Sequence, residues 1–431
     1  MSTATSFQEL MSSEGLQVVP CTKVPSDYTV RKVEVEFPDH WIPTKQYMCD
    51  LEKANLLRDK FQDEALYFGV FDQVEKSKRN FVQADCHMFG GKAFLQPGKF
   101  DAGRNLIHKF TIIFCLWDDL MEKDDEDPGF GKASVHRLRR ILASRSENAI
   151  EGISQAVSDI ANEDVRDKSL MMWWEDFFCD VAKASAEDAS RRGASKKGAK
   201  TFYQRLKDSF MVVLDGLDGE LEYLSSVKAS ENIDLNNLWQ IRINSVGCPV
   251  VYDLIIHATQ FDPEDALYDS LWEIKRMYAT IVRAFNEVAS IPKDIADELG
   301  SLLTSTMMVH KCSFDATLEK LLEKVHDSIQ AFDTIAATTL ALVSEHEYEA
   351  LNDFLYAVRY SALGFAEWHL PDANWMGSGL RYCKVKLLRP RDDIFYDFGV
   401  SFYSCFQKAV KEPSFVGLGS RPKTQKFASS A

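Results

Sequence analysis

The feature that most constrains this chain is an apolar run that ends in acid. Phe110-Thr111-Ile112-Ile113-Phe114-Cys115-Leu116-Trp117 leads directly into Asp118-Asp119-Leu120-Met121-Glu122. As a helix, such a run is apolar on most sides and belongs in an interior. It takes its acids there with it. A carboxylate at the end of a buried helix needs a cation or donors, because unpaired burial of charge is costly. Residues four apart share a helix face, so Asp118 and Glu122 point the same way.

A second polar stripe lies far downstream, in Asn286-Glu287-Val288-Ala289-Ser290-Ile291-Pro292-Lys293-Asp294. Asn286, Ser290 and Asp294 stand at i, i+4 and i+8, flanked by Ile281-Val282-Arg283-Ala284-Phe285 and Ile291. Both sets are hard oxygen ligands. They suit Mg²⁺, which takes a few protein oxygens and shares the rest with substrate phosphates. Two such faces across a helical bundle would clamp a diphosphate through metal. Each has a bland alternative. A lone D-D-x-x-E is common on solvated helix ends. Asn286 and Ser290 could bond to backbone while Asp294 caps a new helix after Pro292. Asp124, Asp125, Glu126 and Asp127, stopped by Pro128-Gly129, read as a solvated turn.

The rest of the chain reads as helical. Helical spacing begins near residue 44 and covers 44–69, 104–122, 135–160, 164–184, 201–226 and 235–260, the last broken near Gly247-Cys248-Pro249. Segments 263–291, 295–312, 314–343 and 345–369 follow. Residues 186–200 read as an exposed loop. No Val/Ile/Thr alternation marks a sheet. The expected fold class is all-α, a single helical bundle with functional groups facing its core. Residues 1–40 read as an irregular N-terminal arm, 41–410 as the helical domain and 411–431 as a flexible tail.

Composition removes other classes. The net charge of −15 disfavours nucleic acid and anionic membrane surfaces, and obliges an anion site to bring its own metal, Lys and Arg. Nine scattered cysteines without C-x-x-C or zinc spacing read as reduced thiols of a cytoplasmic protein. No apolar run reaches the ~18 residues of a membrane span. His108 and His257 lack partners at metal spacing and read as core or rim residues.

These residues, in this order, resemble the class I terpene synthases, and the fungal sesquiterpene cyclases in particular. That family carries D-D-x-x-D/E and, downstream, N-D-x-x-S-x-x-x-E, often with Lys before the last acid. Lys293 fits. Glu287 replaces the usual Asp, at a position that is not a metal ligand in the family, and Asp294 replaces the usual Glu. Trp239-Gln240-Ile241-Arg242-Ile243-Asn244-Ser245-Val246-Gly247 resembles the segment holding the diphosphate-sensing arginine. Asn374-Trp375-Met376-Gly377-Ser378-Gly379-Leu380-Arg381-Tyr382 resembles the C-terminal N-W-x(5)-R-Y element. The resemblance spans roughly residues 40–405.

It implies a bundle of the class I terpenoid synthase type with a central apolar cavity. It implies that Asp118, with Asp119 or Glu122, holds metal on one wall, and that Asn286, Ser290 and Asp294 hold it on the other. Three Mg²⁺ are expected, with Mn²⁺ able to substitute. Arg242, Lys293, Arg381 and Tyr382 would hold diphosphate, and a carbonyl among Ser245, Val246 and Gly247 would face the forming cation. Asp118, Arg242, Asn286, Ser290 and Asp294 would carry catalysis. The reaction implied is ionisation and cyclisation of farnesyl diphosphate by a monomer or homodimer, with no nucleic-acid partner and no membrane insertion. The C15 substrate comes from the resemblance and the single-domain length alone. A carbocation needs an apolar pocket with ring faces. Phe114, one turn before Asp118, is the first candidate, with Phe89, Phe110, Phe210, Trp368 and Trp375 behind it. The rivals are a cyclase of geranyl or geranylgeranyl diphosphate, a prenyl chain-elongating transferase, and a helical interaction scaffold.

Overall fold

The structure is a computed structural model. It describes residues 31–36, 41, 51–70, 101–121, 129–145, 165–192, 200–227, 234–296, 302, 305–306, 314–368, 383–388 and 393–397. The helices are α1 (Leu51–Tyr67), α2 (Asp101–Met121), α3 (Phe130–Ser144), α4 (Val165–Arg192), α5 (Phe202–Val227), α6 (Leu235–Ser245), α7 (Cys248–Ala258), α8 (Asp265–Ser270), α9 (Trp272–Ala296), α10 (Phe314–Leu342) and α11 (Glu345–Trp368). They form the expected helical bundle. Among the described residues no helix is long and apolar enough to cross a membrane.

Helix α2 carries the first acid motif, and its neighbours fix it. It packs on α4 and α7. In α4, the pattern Trp173-Trp174-x-x-Phe177-Phe178 puts rings at i and i+4, so one stripe of the helix is aromatic. All four rings are buried. Trp174 and Phe177 meet both Phe110 and Phe210, Phe178 meets Phe210 with centroids 5.0 Å apart, and Trp173 stacks on Phe68. Full burial of each ring contributes about 1.5–3 kcal/mol. Two polar anchors add direction. The buried Lys109 ammonium lies 2.6 Å from Asp180 and 3.5 Å from Glu64, and also bonds Asp176. Burial alone would depress its pKa, but Asp180, Glu64 and Asp176 together hold it above the ordinary value. Nearer the acid motif, the Trp117 indole donates to Ser134 Oγ (2.8 Å), and Ser134 donates to the buried Asp167 at the start of α4 (2.6 Å).

Helices α6 and α7 lie between α5, α2 and α9. Helix α5 packs on both, α2 on α7, and α9 on both. Residue 41, where the helical domain was expected to begin, is anchored to the bundle. The buried Trp41 indole donates to both carboxylate oxygens of Asp333 at 3.0 Å, and Arg359 donates to the same group.

Three local expectations change. First, a small sheet is present. Strand β1 (Arg31–Glu36), inside the arm read as irregular, pairs in parallel with β2 (Cys383–Leu388), which pairs antiparallel with β3 (Asp393–Asp397). The register sets Val33 against Val385 and Glu34 against Lys386. The alternation in Arg-Lys-Val-Glu-Val-Glu is the period of a strand, but six residues are too few to declare it, and the partner lies some 350 residues away. Second, α4 runs on to Arg192, since the Ala, Lys, Glu and Arg of 182–192 are good helix formers. Third, α9 passes through Pro292 and ends at Ala296, beyond the expected stop at Ile291. Pro292 removes one N–H from the ladder, yet the helix persists. The tail expected at 411–431 lies outside the described residues.

Gln260 has φ 55°, the left-handed conformation, where it closes α7. Its N–H reaches the His257 carbonyl, and the Phe261 N–H reaches that of Ile256 (3.1 Å), a helix-terminating pattern that favours glycine at the left-handed position. Gln260→Gly should therefore stabilise the fold by about 0.5–1 kcal/mol, seen as a higher denaturant midpoint at unchanged slope. A lower midpoint would mean that the glutamine side chain contributes more than its backbone costs.

Candidate active site

The site is organised by a helix break. Asp234 starts α6 by accepting from the N–H groups of Asn236 (3.0 Å) and Asn237 (3.2 Å). The helix ends at Ser245. Gly247 takes φ 76°, and Pro249 opens α7. Two backbone facts follow. The Gly247 carbonyl is taken up by the N–H groups of Val250 (3.1 Å) and Val251 (3.2 Å). Among the described residues the Val246 carbonyl accepts from no backbone N–H. The Ser245 carbonyl faces the position where Pro249 has no N–H to give. The break also lies against an aromatic wall. A Cβ on Gly247 would stand 3.3 Å from both the Phe110 and Phe114 rings. Gly216 on α5 allows the close approach from the other side, since a Cβ there would lie 2.5 Å from Ser245 N.

Arg242 lies one turn before the break, and its buried guanidinium bonds Glu220 of α5. Its Nε is 3.9 Å from Glu287 Oε1 of α9. Glu287, 1 % exposed, also accepts from Arg283 Nε (2.7 Å) and from the Leu302 N–H (3.0 Å). Burial pushes the Glu220 carboxyl up, but Arg242 and Arg283, with the hydrogen bonds from Ser245 and Arg242, hold it below the ordinary carboxylate range. The result is an alternating ladder of charge, Glu220–Arg242–Glu287–Arg283, that crosses α5, α6 and α9.

Of the six expected metal ligands, the described side chains are Asp118 and Asn286, both half-buried, on α2 and α9. These two helices flank the α6–α7 break. Ser290 and Asp294 share the α9 backbone with Asn286, at one face by helical spacing, as does Lys293, and Asp119 lies on α2. The side chains of Asp119, Ser290, Lys293 and Asp294 lie outside the described residues, and so do Glu122, Arg381 and Tyr382 entirely. Among the described residues no three His, Cys, Asp or Glu side chains gather in metal-holding geometry. The donors that are described, an aspartate and an asparagine, fit a hard divalent cation.

The candidate ring faces divide. Phe114 is half-buried and stacks on Phe110 at 5.4 Å. Phe110 and Phe210, each 1 % exposed, are locked among Trp174, Phe177 and Phe178 and belong to the core. Phe89, Trp375 and the Trp368 side chain lie outside the described residues. His108 is buried in α2, and His257 bonds Asp188 at 2.8 Å and stacks on Phe202. His257 also lines a cavity of about 250 Å³ with Arg205, Asp253 and Phe261. That cavity is remote from Arg242, since α5 rises about 22 Å between Arg205 and Glu220.

Sequence reasoning missed Glu220 and passed over Glu287 as a mild departure. The i, i+4 spacing of Arg283 and Glu287 on an apolar helix was a legible sign of a buried pair. Nothing local pointed to Glu220.

The family described as "Terpene synthase family 2, C-terminal metal binding" matches residues 109–331, about half of the chain, from Lys109 on α2 into α10. The chain belongs to this terpene synthase family. It is therefore a class I terpene synthase, a lyase acting on prenyl diphosphates, with the all-α fold of that class. Solved structures agree in fold. Linalool/nerolidol synthase from Streptomyces clavuligerus is 14% identical with a TM-score of 0.57, over 76% of this chain and 99% of that one. The same enzyme in complex with 2-fluorogeranyl diphosphate gives 14% identity and a TM-score of 0.55, over 73% and 98%. An α-eudesmol synthase is 12% identical with a TM-score of 0.57, over 76% and 97%. No curated protein matches the chain in sequence.

Gly216→Ala should force α5 and the Ser245 backbone apart and lower kcat for diphosphate release about 10–100-fold while helicity is retained. Gly219→Ala, which meets only the side chain of Ile241 at 3.2 Å, should cost far less. Equal, small losses in both would show that the α5–α6 approach does not set the site.

Proposed function

We propose that this terpene synthase is a Mg²⁺-dependent sesquiterpene cyclase that ionises farnesyl diphosphate and closes the resulting cation to a hydrocarbon or alcohol. The observation that carries the reading is the α6–α7 break, with buried Arg242 on one side, the Val246 carbonyl, which accepts from no backbone N–H among the described residues, at its centre, and the helices of Asp118 and Asn286 flanking it. The enzyme with the 2-fluorogeranyl diphosphate complex supports a prenyl diphosphate as the ligand class.

Each residue then has a part. Asp118, with Asp119 or Glu122, holds metal from α2. Asn286, Ser290 and Asp294 hold it from α9. When bound, three Mg²⁺ would neutralise the departing diphosphate. Arg242, with Lys293, Arg381 and Tyr382, donates to phosphate oxygens, a guanidinium being suited to paired oxygens. Of the three carbonyls considered for the forming cation, that of Gly247 is occupied by α7, while those of Ser245 and Val246 accept from no backbone N–H among the described residues. Phe114 offers a ring face beside the break.

The test is to supply geranyl, farnesyl and geranylgeranyl diphosphates with Mg²⁺, analyse volatiles by gas chromatography and measure released diphosphate. Farnesyl diphosphate should give a C15 product, with Mn²⁺ substituting in part. Asp118→Asn and Asn286→Ala should each lose at least ~100-fold in kcat/KM, as expected when a stabiliser of developing charge is removed. A longer diphosphate from farnesyl plus isopentenyl diphosphate would favour chain elongation. Preference for a C10 or C20 substrate would favour the other cyclases. No product and no diphosphate from any of them would overturn the reading.

A further inference from the structure

Glu287 is where the chain departs from the N-D-x-x-S pattern, and the structure gives the change a use. The side chain is 1 % exposed and fully engaged. Oε1 accepts from Arg283 Nε at 2.7 Å and lies 3.9 Å from Arg242 Nε, while Oε2 accepts from the Leu302 N–H at 3.0 Å. Its chain neighbour is Asn286. Successive helical residues point about 100° apart, so α9 presents Asn286 on one side and Glu287 toward α6. On the far side of Arg242, Glu220 closes the ladder from α5. All four charged side chains of the ladder are buried or nearly so, with Arg242 11% and Glu220 17% exposed.

Resting on the functional reading above, we infer that Glu287 and Glu220 are positioning residues for diphosphate sensing: they clamp Arg242 from two helices and tie its placement to the helix that carries Asn286. Neither carboxylate touches substrate. Their charge keeps a buried guanidinium extended in one place, where a lone arginine would shift to find another partner. Because Glu287 is rigidly joined to Asn286 through α9, the arginine that meets diphosphate and the asparagine that meets its counter-ion are held in one register. An aspartate at 287 would be one methylene shorter and would not span both Arg283 and Arg242 from the same backbone position.

The experiment compares wild type, Glu287→Gln, Glu220→Gln, Arg242→Lys and the Glu287→Gln/Arg242→Lys double variant in full-length protein, by kcat and KM for farnesyl diphosphate and by thermal unfolding. Glu287→Gln keeps the shape and loses the charge. It should lower kcat about 10–100-fold with KM within about 3-fold, the pattern of a displaced group that acts after binding. The double variant should lose little beyond Arg242→Lys alone, because Glu287 acts through Arg242. Losses that multiply, or a Glu287→Gln enzyme with wild-type kcat, would overturn the inference. If Glu287→Gln fails to fold, Glu220→Gln carries the same test from α5. If neither folds, the ladder is structural and the inference is wrong. Wild-type protein that releases no diphosphate from any prenyl diphosphate defeats the functional reading itself, a distinct result.

Discussion

A guanidinium inside a helical bundle is the constraint around which the rest is arranged. Arg242 cannot shed its proton, so its charge must be answered where it lies. Glu220 and Glu287 answer it, and Arg283 in turn answers Glu287. The arrangement is neutral as a whole, which suits a chain of net charge −15 that must still admit an anion. It also takes a contribution from three helices, α5, α6 and α9. A shift of any one of them opens a buried, unpaired charge, so the ladder favours one relative placement of these helices over its neighbours.

The other wall is held by different means. Helix α2 has an aromatic flank against α4 and two polar anchors, Lys109 among three carboxylates and Trp117 through Ser134 to Asp167. The second anchor engages the residue immediately before Asp118. Between the two walls, Gly247 and Pro249 interrupt the backbone where a continuous helix would have used every carbonyl. Aromatic packing and the Lys109 cluster hold α2, packing and the Arg–Glu ladder hold α9, and the break lies between them. Each device sits close to a residue proposed for the chemistry.

Much of this was legible from residues alone, for physical reasons that differ by element. The α6–α7 break follows from Gly-Cys-Pro, since both glycine and proline act locally. The amphipathic stripes of α2 and α9 follow from spacing. What escaped was non-local. Glu220 meets Arg242 across 22 positions, and β1 meets β2 across most of the chain. Phe110 and Phe210 carry no mark that separates a core ring from a cavity ring, and only the packing around Trp174 shows them to be core. Pro292 was read as a stop because proline usually is one, yet the packing of α9 against α6, α7, α10 and α11 carries the helix past it.

The central claim is that the faces of Asp118 and Asn286 meet around one metal–diphosphate cluster beside Arg242. Its most direct test is a crystal structure of the protein with Mn²⁺ and inorganic diphosphate, using the metal's anomalous signal. The account predicts metal peaks between α2 and α9, within direct bonding distance of Asp118 and Asn286 oxygens, and a diphosphate oxygen hydrogen-bonded to Arg242. Metal bound elsewhere, or diphosphate held without either helix, would contradict it.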